Sequence, residues 1–462
     1  MAKNDATSLG PRFAKLWLAS TASALGVGLA TVATPLLIAS RTDDPLTISA
    51  AQAVAWLPWL LFALPGGVLV DRTDRRRLLI WIDWARVVLM ALLAAAIAAD
   101  HASIVLIYTV LFLVNTGEVV FRSASQAMIP AVVPRAGLER ANGWLIGGVT
   151  VMQNMIAGPL GAALFVAAAS IPYWGNSVTY AVSAVLITAV TGTYRTVPRG
   201  RGADGTTEIA TGIATEIATD AASDVAPDAG PAKSERLRAV WSEMAEGFHW
   251  LMRQRLLRTM AILIGLLNIT LTAALAVLVL LAKDRLHLGS VGYGALFTAM
   301  AVGSIIGSAV GDRLVRTVTA TWTIRIGLLV EAAFHLVLAT SLNAYAVGAA
   351  FFAFGIHGAL WSIVANSLRQ RLTPPEMFGR VGSTNLFIAA GGNCVGALLG
   401  GVVAAHFGLT ATYWVAFVVA VAVAVTTWPV FNRAAVARAY ATDATDTADA
   451  RESEAHRAVT DA

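Results

Sequence analysis

Twelve stretches of about 20 mostly apolar residues recur along this chain, each long enough to cross the roughly 30 Å of hydrocarbon in a bilayer. They lie near 13–38, 49–70, 78–98, 103–122, 143–168 and 174–194, then near 260–281, 291–311, 321–341, 345–367, 382–404 and 411–431. Inside hydrocarbon every backbone N–H and C=O must find its partner within the protein, so each stretch is predicted to be a helix. Composition agrees: 57% of the 462 residues are hydrophobic and 13% are charged, against roughly 25% charged in a soluble domain. The chain reads as an all-α polytopic membrane protein with twelve transmembrane helices. Met1 to Lys15 leads into an apolar run longer than a signal-peptide core, read as an uncleaved first helix.

The formal charge of +5 does not indicate nucleic acid, because the basic residues cluster in short loops beside the apolar runs. Arg12, Lys15, Arg72, Arg75, Arg76, Arg77, Arg135, Arg140, Arg195, Arg199, Arg258, Arg313, Arg316, Arg369, Arg371, Arg380 and Arg433 fall at one set of alternating ends, and the opposite set carries Arg41, Lys283 and Arg285. By the positive-inside rule the first set is cytoplasmic, which puts both termini inside. The single cysteine, Cys394, excludes a disulfide framework, and the seven histidines are too scattered for a metal or catalytic cluster. With no Gly-x-x-x-x-Gly-Lys loop, neither an enzyme nor a cofactor or metal is expected, and the energy source should be an ion gradient.

Residues 1–195 and 259–432 form two expected six-helix units. Between them, 196–235 is rich in Thr, Ala, Asp and Gly, with an echo in Glu208-Ile209-Ala210-Thr211 and Glu216-Ile217-Ala218-Thr219, a composition that cannot bury a core. Within the 196–258 connection, Trp241, Met244, Phe248, Leu251 and Met252 recur at helical spacing, predicting an amphipathic helix over about 237–257. It either lies on the membrane surface or packs against the base of the protein. The tail 433–462 is read as a disordered cytoplasmic extension.

The loop after the second run reads Gly66-Gly67-Val68-Leu69-Val70-Asp71-Arg72-Thr73-Asp74-Arg75-Arg76-Arg77, and a weaker copy, Gly307-Ser308 with Asp312-Arg313, stands at the matching place in the second half. Paired glycines let helices approach. This loop resembles that between helices two and three of the major facilitator superfamily, which implies that fold with two pseudo-symmetric halves. The resemblance also implies a latch role for Gly66, Gly67, Asp71, Arg72, Arg75, Arg76, Asp312 and Arg313. The region Glu118 to Asn142, with Met128-Ile129-Pro130 and Val133-Pro134, and the segment Glu243 to Arg258 are similar to the branch holding the enterobactin exporter and the macrolide efflux proteins. Two departures stand out: Ser123 replaces a frequent proline, and Val27 replaces a frequent acidic residue, which removes a proton site from helix one. Gly158, Pro159 and Gly161 resemble the helix-five motif of facilitator antiporters, associated with export; a plain helix kink explains the same residues.

Charged residues within a membrane helix are functional candidates because an unpaired charge there costs several kcal/mol. Glu118 and Arg122 share a face at i and i+4, either as a proton-sensitive or substrate-sensing pair or as a structural salt bridge. Glu331 and His335 repeat the spacing as a second candidate pair for a coupling proton, with a structural pair the favoured reading there. Asp83 and Arg86, read as close to the cytoplasmic end, extend the latch or snorkel. Thr34, Gln153, Asn154, Asn268, His357, Trp361, Asn385 and Asn393 are cavity candidates. Gly303, Gly307 and Gly311, and Gly392, Gly396 and Gly400, repeat every four residues and form packing faces. The resemblance implies a monomeric inner-membrane antiporter that exports an amphipathic drug, natural product or siderophore in exchange for protons, with the lipid bilayer and a small molecule as partners. A nutrient symporter and a non-transporting sensor are the rival readings.

Overall fold

A computed structural model describes residues 9–134, 137–192, 242, 245–374 and 377–431, with the side chains of 63–69, 71, 72, 139, 154, 312, 316, 378 and 379 outside the description. The described residues form helices and loops with no strand. In the first half these are α1 (Gly10–Ala39), α2 (Pro45–Arg72), α3 (Arg75–Ala98), α4 (Ile104–Val132), α5 and α6 (Ile171–Thr188); α5 runs as Leu138–Thr150, a π-helical stretch Val151–Ile156, and Ala157–Ala167. In the second half they are α7 (Arg255–Ala276, then a break and a π-helical end at Leu281–Arg285), α8 (Ser290–Val318), α9 (Ala320–Thr340), α10 (Ala344–Leu372), α11 (Phe378–Phe407) and α12 (Leu409–Thr427).

Helix starts follow from capping chemistry. Asp44 accepts from the N–H groups of Leu46 and Thr47 ahead of Pro45, Asp74 from Arg77, Ser103 from Leu106 and Asn343 from Tyr345. Each bond satisfies a donor that the first turn leaves unpaired. Asp74 therefore fills the helix-start place in the basic hairpin. The Thr47 hydroxyl, followed by the two N–H groups, holds the Asp44 carboxyl below the usual carboxylate range.

Among the described residues, eleven helices are long and apolar enough to span a membrane; α6 is not one of them. Its polar residues explain the shortfall. Asn176 and Ser183 are fully buried, and the Ser177 and Ser183 hydroxyls donate to the Val87 carbonyl and the Asp83 carboxylate of α3. The sequence placed the end of the fourth run near 122, whereas α4 continues to Val132. A helix need not end where hydrocarbon does, and those extra turns pack Ala124, Met128 and Ile129 into an apolar cluster with α1 and α3.

Packing shows the pseudo-symmetry. In the first half α1 meets α6, α3 meets α6, α2 meets α4 and α3 meets α4; in the second, α7 meets α12, α9 meets α12, α8 meets α10 and α9 meets α10. The halves join through α2 against α11 and through α5 against α8, contacts that the same exchange of halves interconverts. One apolar cluster gathers Leu36, Leu37, Ile38 and Ile48 of the first half with Val277, Leu278, Leu281 and Leu286 of the second. Lys283 and Asp43 bridge the halves above it at 2.7 Å. That pair is more than half exposed on both sides, so it contributes at most about 1 kcal/mol and the apolar cluster closes this end. At the basic end the clusters separate: one draws on Phe13, Leu16, Leu79 and Met128, another on Met260, Ile324, Leu368 and Phe431.

Of the amphipathic connection, residues 245–253 are helical. They dock on the start of α11: Glu246 pairs with Arg380 at 2.9 Å, Leu251 is buried beside Val381, and a Cβ on Gly247 would fall 2.9 Å from the Arg380 backbone. Packing on the protein's own base is thus the arrangement of this helix. Residues 193–241 and 432–462, with the expected linker and tail, lie outside the described residues.

Candidate functional site

A cavity of about 520 Å³ opens among α1, α2, α4, α5, α6 and α11. Thr34, Gln153 and Asn393 stand in its wall with Trp56, Trp59 and Tyr180, which the sequence did not single out. Its charged wall residues are Glu118 and Arg122, 14 and 10 residues before Val132, the last residue of α4, and so within the body of that helix.

Glu118 and Arg122 lie 3.5 Å apart, and a second arginine holds the carboxylate from behind. Arg86 of α3 donates through Nη1 to Glu118 Oε2 at 2.7 Å and through Nη2 to Asp83; the Ser183 hydroxyl donates to the other Asp83 oxygen at 2.6 Å. The Arg86 guanidinium lies over the rings of Phe121 and Tyr180, 4.6 and 4.2 Å from their centroids. Snorkelling is therefore the wrong account of Asp83 and Arg86. They are 0% and 1% exposed, and their bonds run inward to Glu118 rather than toward the basic hairpin. The i, i+3 placement of opposite charges eight residues or more into an apolar helix was the signal, since snorkelling serves charges at helix ends.

The other candidates divide. Arg75 donates to the Ala127 carbonyl at 2.7 Å, and Arg76 to the carbonyls of Ile187 and Thr188 at 3.3 and 2.6 Å, so the hairpin arginines tie α3 to the ends of α4 and α6. Gly66, Gly67, Asp71 and Arg72 belong to the last turns of α2, and Asp312 and Arg313 to α8; the side chains of Asp71, Arg72 and Asp312, like that of Asn154, lie outside the description. Gly158, Pro159 and Gly161 follow directly on the π-helical stretch of α5. A Cβ on Gly161 would lie 3.2 Å from the Leu29 carbonyl of α1, and one on Gly294 of α8 would lie 3.0 Å from the Gly158 carbonyl. The kink region is thus the point where α5 meets both α1 and α8.

Four cavity candidates stand elsewhere. Asn268 donates back to the Ile264 carbonyl, Trp361 packs against the basic-end cluster of the second half, and Asn385 is outside the cavity wall. His357 is turned away from the cavity to Glu331. Its Nε2 lies 3.5 Å from one Glu331 oxygen while His335 Nε2 lies 3.4 Å from the other, all three side chains being buried between α9 and α10. Among the described residues neither ring nitrogen of His335 makes a hydrogen bond. The sequence paired Glu331 with His335 and missed the third member, because a contact between helices has no spacing.

The sequence model of the Major Facilitator Superfamily matches residues 16–392. The chain belongs to this superfamily. Over 133 residues, 29% of this chain and 33% of the relative, it is 24% identical to macrolide efflux protein A of Streptococcus pyogenes. Over 155 residues, 33% of this chain and 34% of the relative, it is 32% identical to an uncharacterized MFS-type transporter of Mycobacterium tuberculosis. These alignments span about a third of either relative's length. Among solved structures, a variant of the nucleoside transporter NupG superposes with a TM-score of 0.69 at 9% identity, covering 91% of this chain and 100% of that one. A bacterial homologue of the iron transporter ferroportin, in an inward-facing state, gives 0.63 at 14% identity, covering 89% and 98%. Those two likenesses carry the fold and nothing about cargo. As a facilitator, the chain is a multi-pass membrane transporter and not an enzyme.

Proposed function

We propose that this transporter exports an amphipathic small molecule, such as a drug, natural product or siderophore, by proton antiport through alternating access in a bacterial inner membrane, as a monomer with its basic end and termini in the cytoplasm. The observation that carries the reading is Glu118 in the cavity wall. A carboxylate in the membrane interior, held by two arginines, can take a proton from one side and lose it to the other, and each change alters what the cavity presents to cargo. The mostly apolar wall suits a cargo with a large apolar body. Glu331, His335 and His357 form a second protonatable group in the other half. The Gly158-Pro159 region, the Arg75 and Arg76 bonds, and Gly66, Gly67, Asp71, Arg72, Asp312 and Arg313 are assigned to the moving contacts and their latch.

Flux in inverted vesicles tests this, with a panel of amphipathic drugs and siderophores and an imposed proton gradient. Accumulation that a protonophore abolishes is expected, and Glu118→Gln should lower gradient-driven accumulation by about tenfold or more, the scale on which a lost proton-transfer group acts. Accumulation indifferent to the protonophore, or full gradient-driven flux in the Glu118→Gln variant, contradicts the coupling. Protonophore-sensitive uptake into right-side-out vesicles would favour the symporter, and folded protein without flux of any compound would favour the sensor.

A further inference from the structure

We propose that Arg122 is the recognition point of the cavity and selects cargo that carries an anionic group on a flat, largely apolar body. The inference rests on the cavity being the cargo site and is independent of direction or coupling. The two charged residues of the wall are unequal. Glu118 is 8% exposed, and its Oε2 is already taken by Arg86 at 2.7 Å. Arg122 is 42% exposed and stands 3.5 Å from the other oxygen, well beyond the 2.7–2.9 Å of a charge-assisted hydrogen bond. Among the described residues it has no closer ionic partner.

Charge bookkeeping gives the sign. Asp83, Arg86 and Glu118 together carry one negative charge inside the protein, Arg122 carries one positive charge at the cavity surface, and the four sum to zero when all are ionised. A cation entering the cavity meets the guanidinium first. An anion meets donors that can turn to it in a planar fork, and Glu118 keeps Arg86 when they do. Removing Arg122 from Glu118 therefore leaves no carboxylate unpaired, which makes the exchange feasible in a low-dielectric wall.

The body of the cargo follows from the aromatic side. Trp59 lies 5.3 Å from the Arg122 guanidinium, and Trp56 lies 6.4 Å from Trp59 at an interplanar angle of 53°. A planar ring beside Arg122 meets one or both indoles, and stacking on guanidinium and indole favours flat over globular ligands. Gln52, Asn115 and Asn393 add neutral polar groups that suit either charge and so do not compete with this preference.

Two xanthene dyes of opposite charge test the assignment with the full-length chain in nanodiscs: fluorescein, an anion at pH 8, and rhodamine 123, a cation, each followed by fluorescence polarisation with protein-free nanodiscs as the control. Fluorescein is expected to bind about tenfold or more tighter than rhodamine 123, a tenfold change being one step of binding free energy. Arg122→Gln should bring the ratio to within about twofold, and Arg122→Lys, which keeps the charge but not the fork, should retain part of the preference. A merely structural Arg122 would change both affinities together and leave the ratio alone. Equal binding of the dyes, tighter rhodamine 123 binding, no fluorescein binding, or a tenfold preference surviving in Arg122→Gln would overturn the assignment. Should Arg122→Gln not fold, Arg122→Lys decides it, being required to lower the fluorescein preference, while Trp59→Leu is expected to weaken both dyes without lowering that preference. Fluorescein binding of this kind without proton-driven flux would remove the antiport reading and leave Arg122 in its role.

Discussion

Replacing Arg86 with methionine is expected to destabilise the protein by about 3–5 kcal/mol, the cost of removing one partner from a buried ion pair. Arg86 serves two carboxylates at once, and its guanidinium fills the space between the Phe121 and Tyr180 rings. Methionine restores part of the volume but leaves Asp83 buried without a cation and Glu118 with Arg122 alone, 3.5 Å away. Desolvation then outweighs what Ser183 alone can return to Asp83, because one hydrogen bond to a charged group is worth about 1.5–3 kcal/mol. Thermal unfolding of the detergent-solubilised variant, followed by size-exclusion chromatography, should show the loss. Combining Arg86→Met with Asp83→Asn should recover part of it, since neither remaining group is then charged at that end. An unchanged midpoint in the single variant would mean that the network is not ionised as described.

Gly303→Leu is the second substitution with a large expected effect. A Cβ at Gly303 would fall 2.0 Å from the Phe352 carbonyl oxygen, and one at Gly355 would fall 1.9 Å from that of Met300. Both obstacles are backbone, so a side chain cannot swing aside and α8 must move away from α10. Overpacking of a well-packed contact typically costs 1–3 kcal/mol, and a leucine on a helix-to-helix backbone contact belongs at about the upper end or beyond. Gly348 provides the contrast. A Cβ there meets nothing within 4 Å, and Gly348→Ala gains up to about 1 kcal/mol of helix propensity. Folded yield on purification should therefore collapse for Gly303→Leu and hold for Gly348→Ala, and equal yields would show that α8 and α10 do not approach this closely.

The fold was legible because its causes are periodic and local. Apolar runs of span length, lysine and arginine bias, and glycines every fourth residue in α8 and α11 all follow from the bilayer as solvent and from helix contact. A Cβ on Gly392, Gly396 or Gly400 would indeed meet the backbone of α7 within 2.8 Å. The site was legible in part. Glu118 with Arg122 shares one helix face, which spacing reveals. Arg86, His357 and Tyr180 act across helices, which spacing does not reveal. Asn268 shows the other limit: an asparagine in a membrane helix can bond to its own carbonyl four residues back, and sequence does not distinguish that from a residue facing cargo. The break in α5 was expected at Gly158-Pro159 and is a π-helical stretch just before it, because the disruption is taken up in the preceding turn.

Alternating access is the central claim, and the closed end gives its most direct test. With Cys394→Ala removing the native thiol, spin labels at Asp43→Cys and Lys283→Cys report the gap that the 2.7 Å ion pair now spans, without any knowledge of the cargo. Pulsed electron–electron resonance in nanodiscs at pH 5 and pH 8 should show two distances differing by on the order of 10 Å, as expected of rocking halves. Their populations should differ between the otherwise native chain and Glu118→Gln. A single short distance at every pH, in protein shown to be folded, would contradict the account.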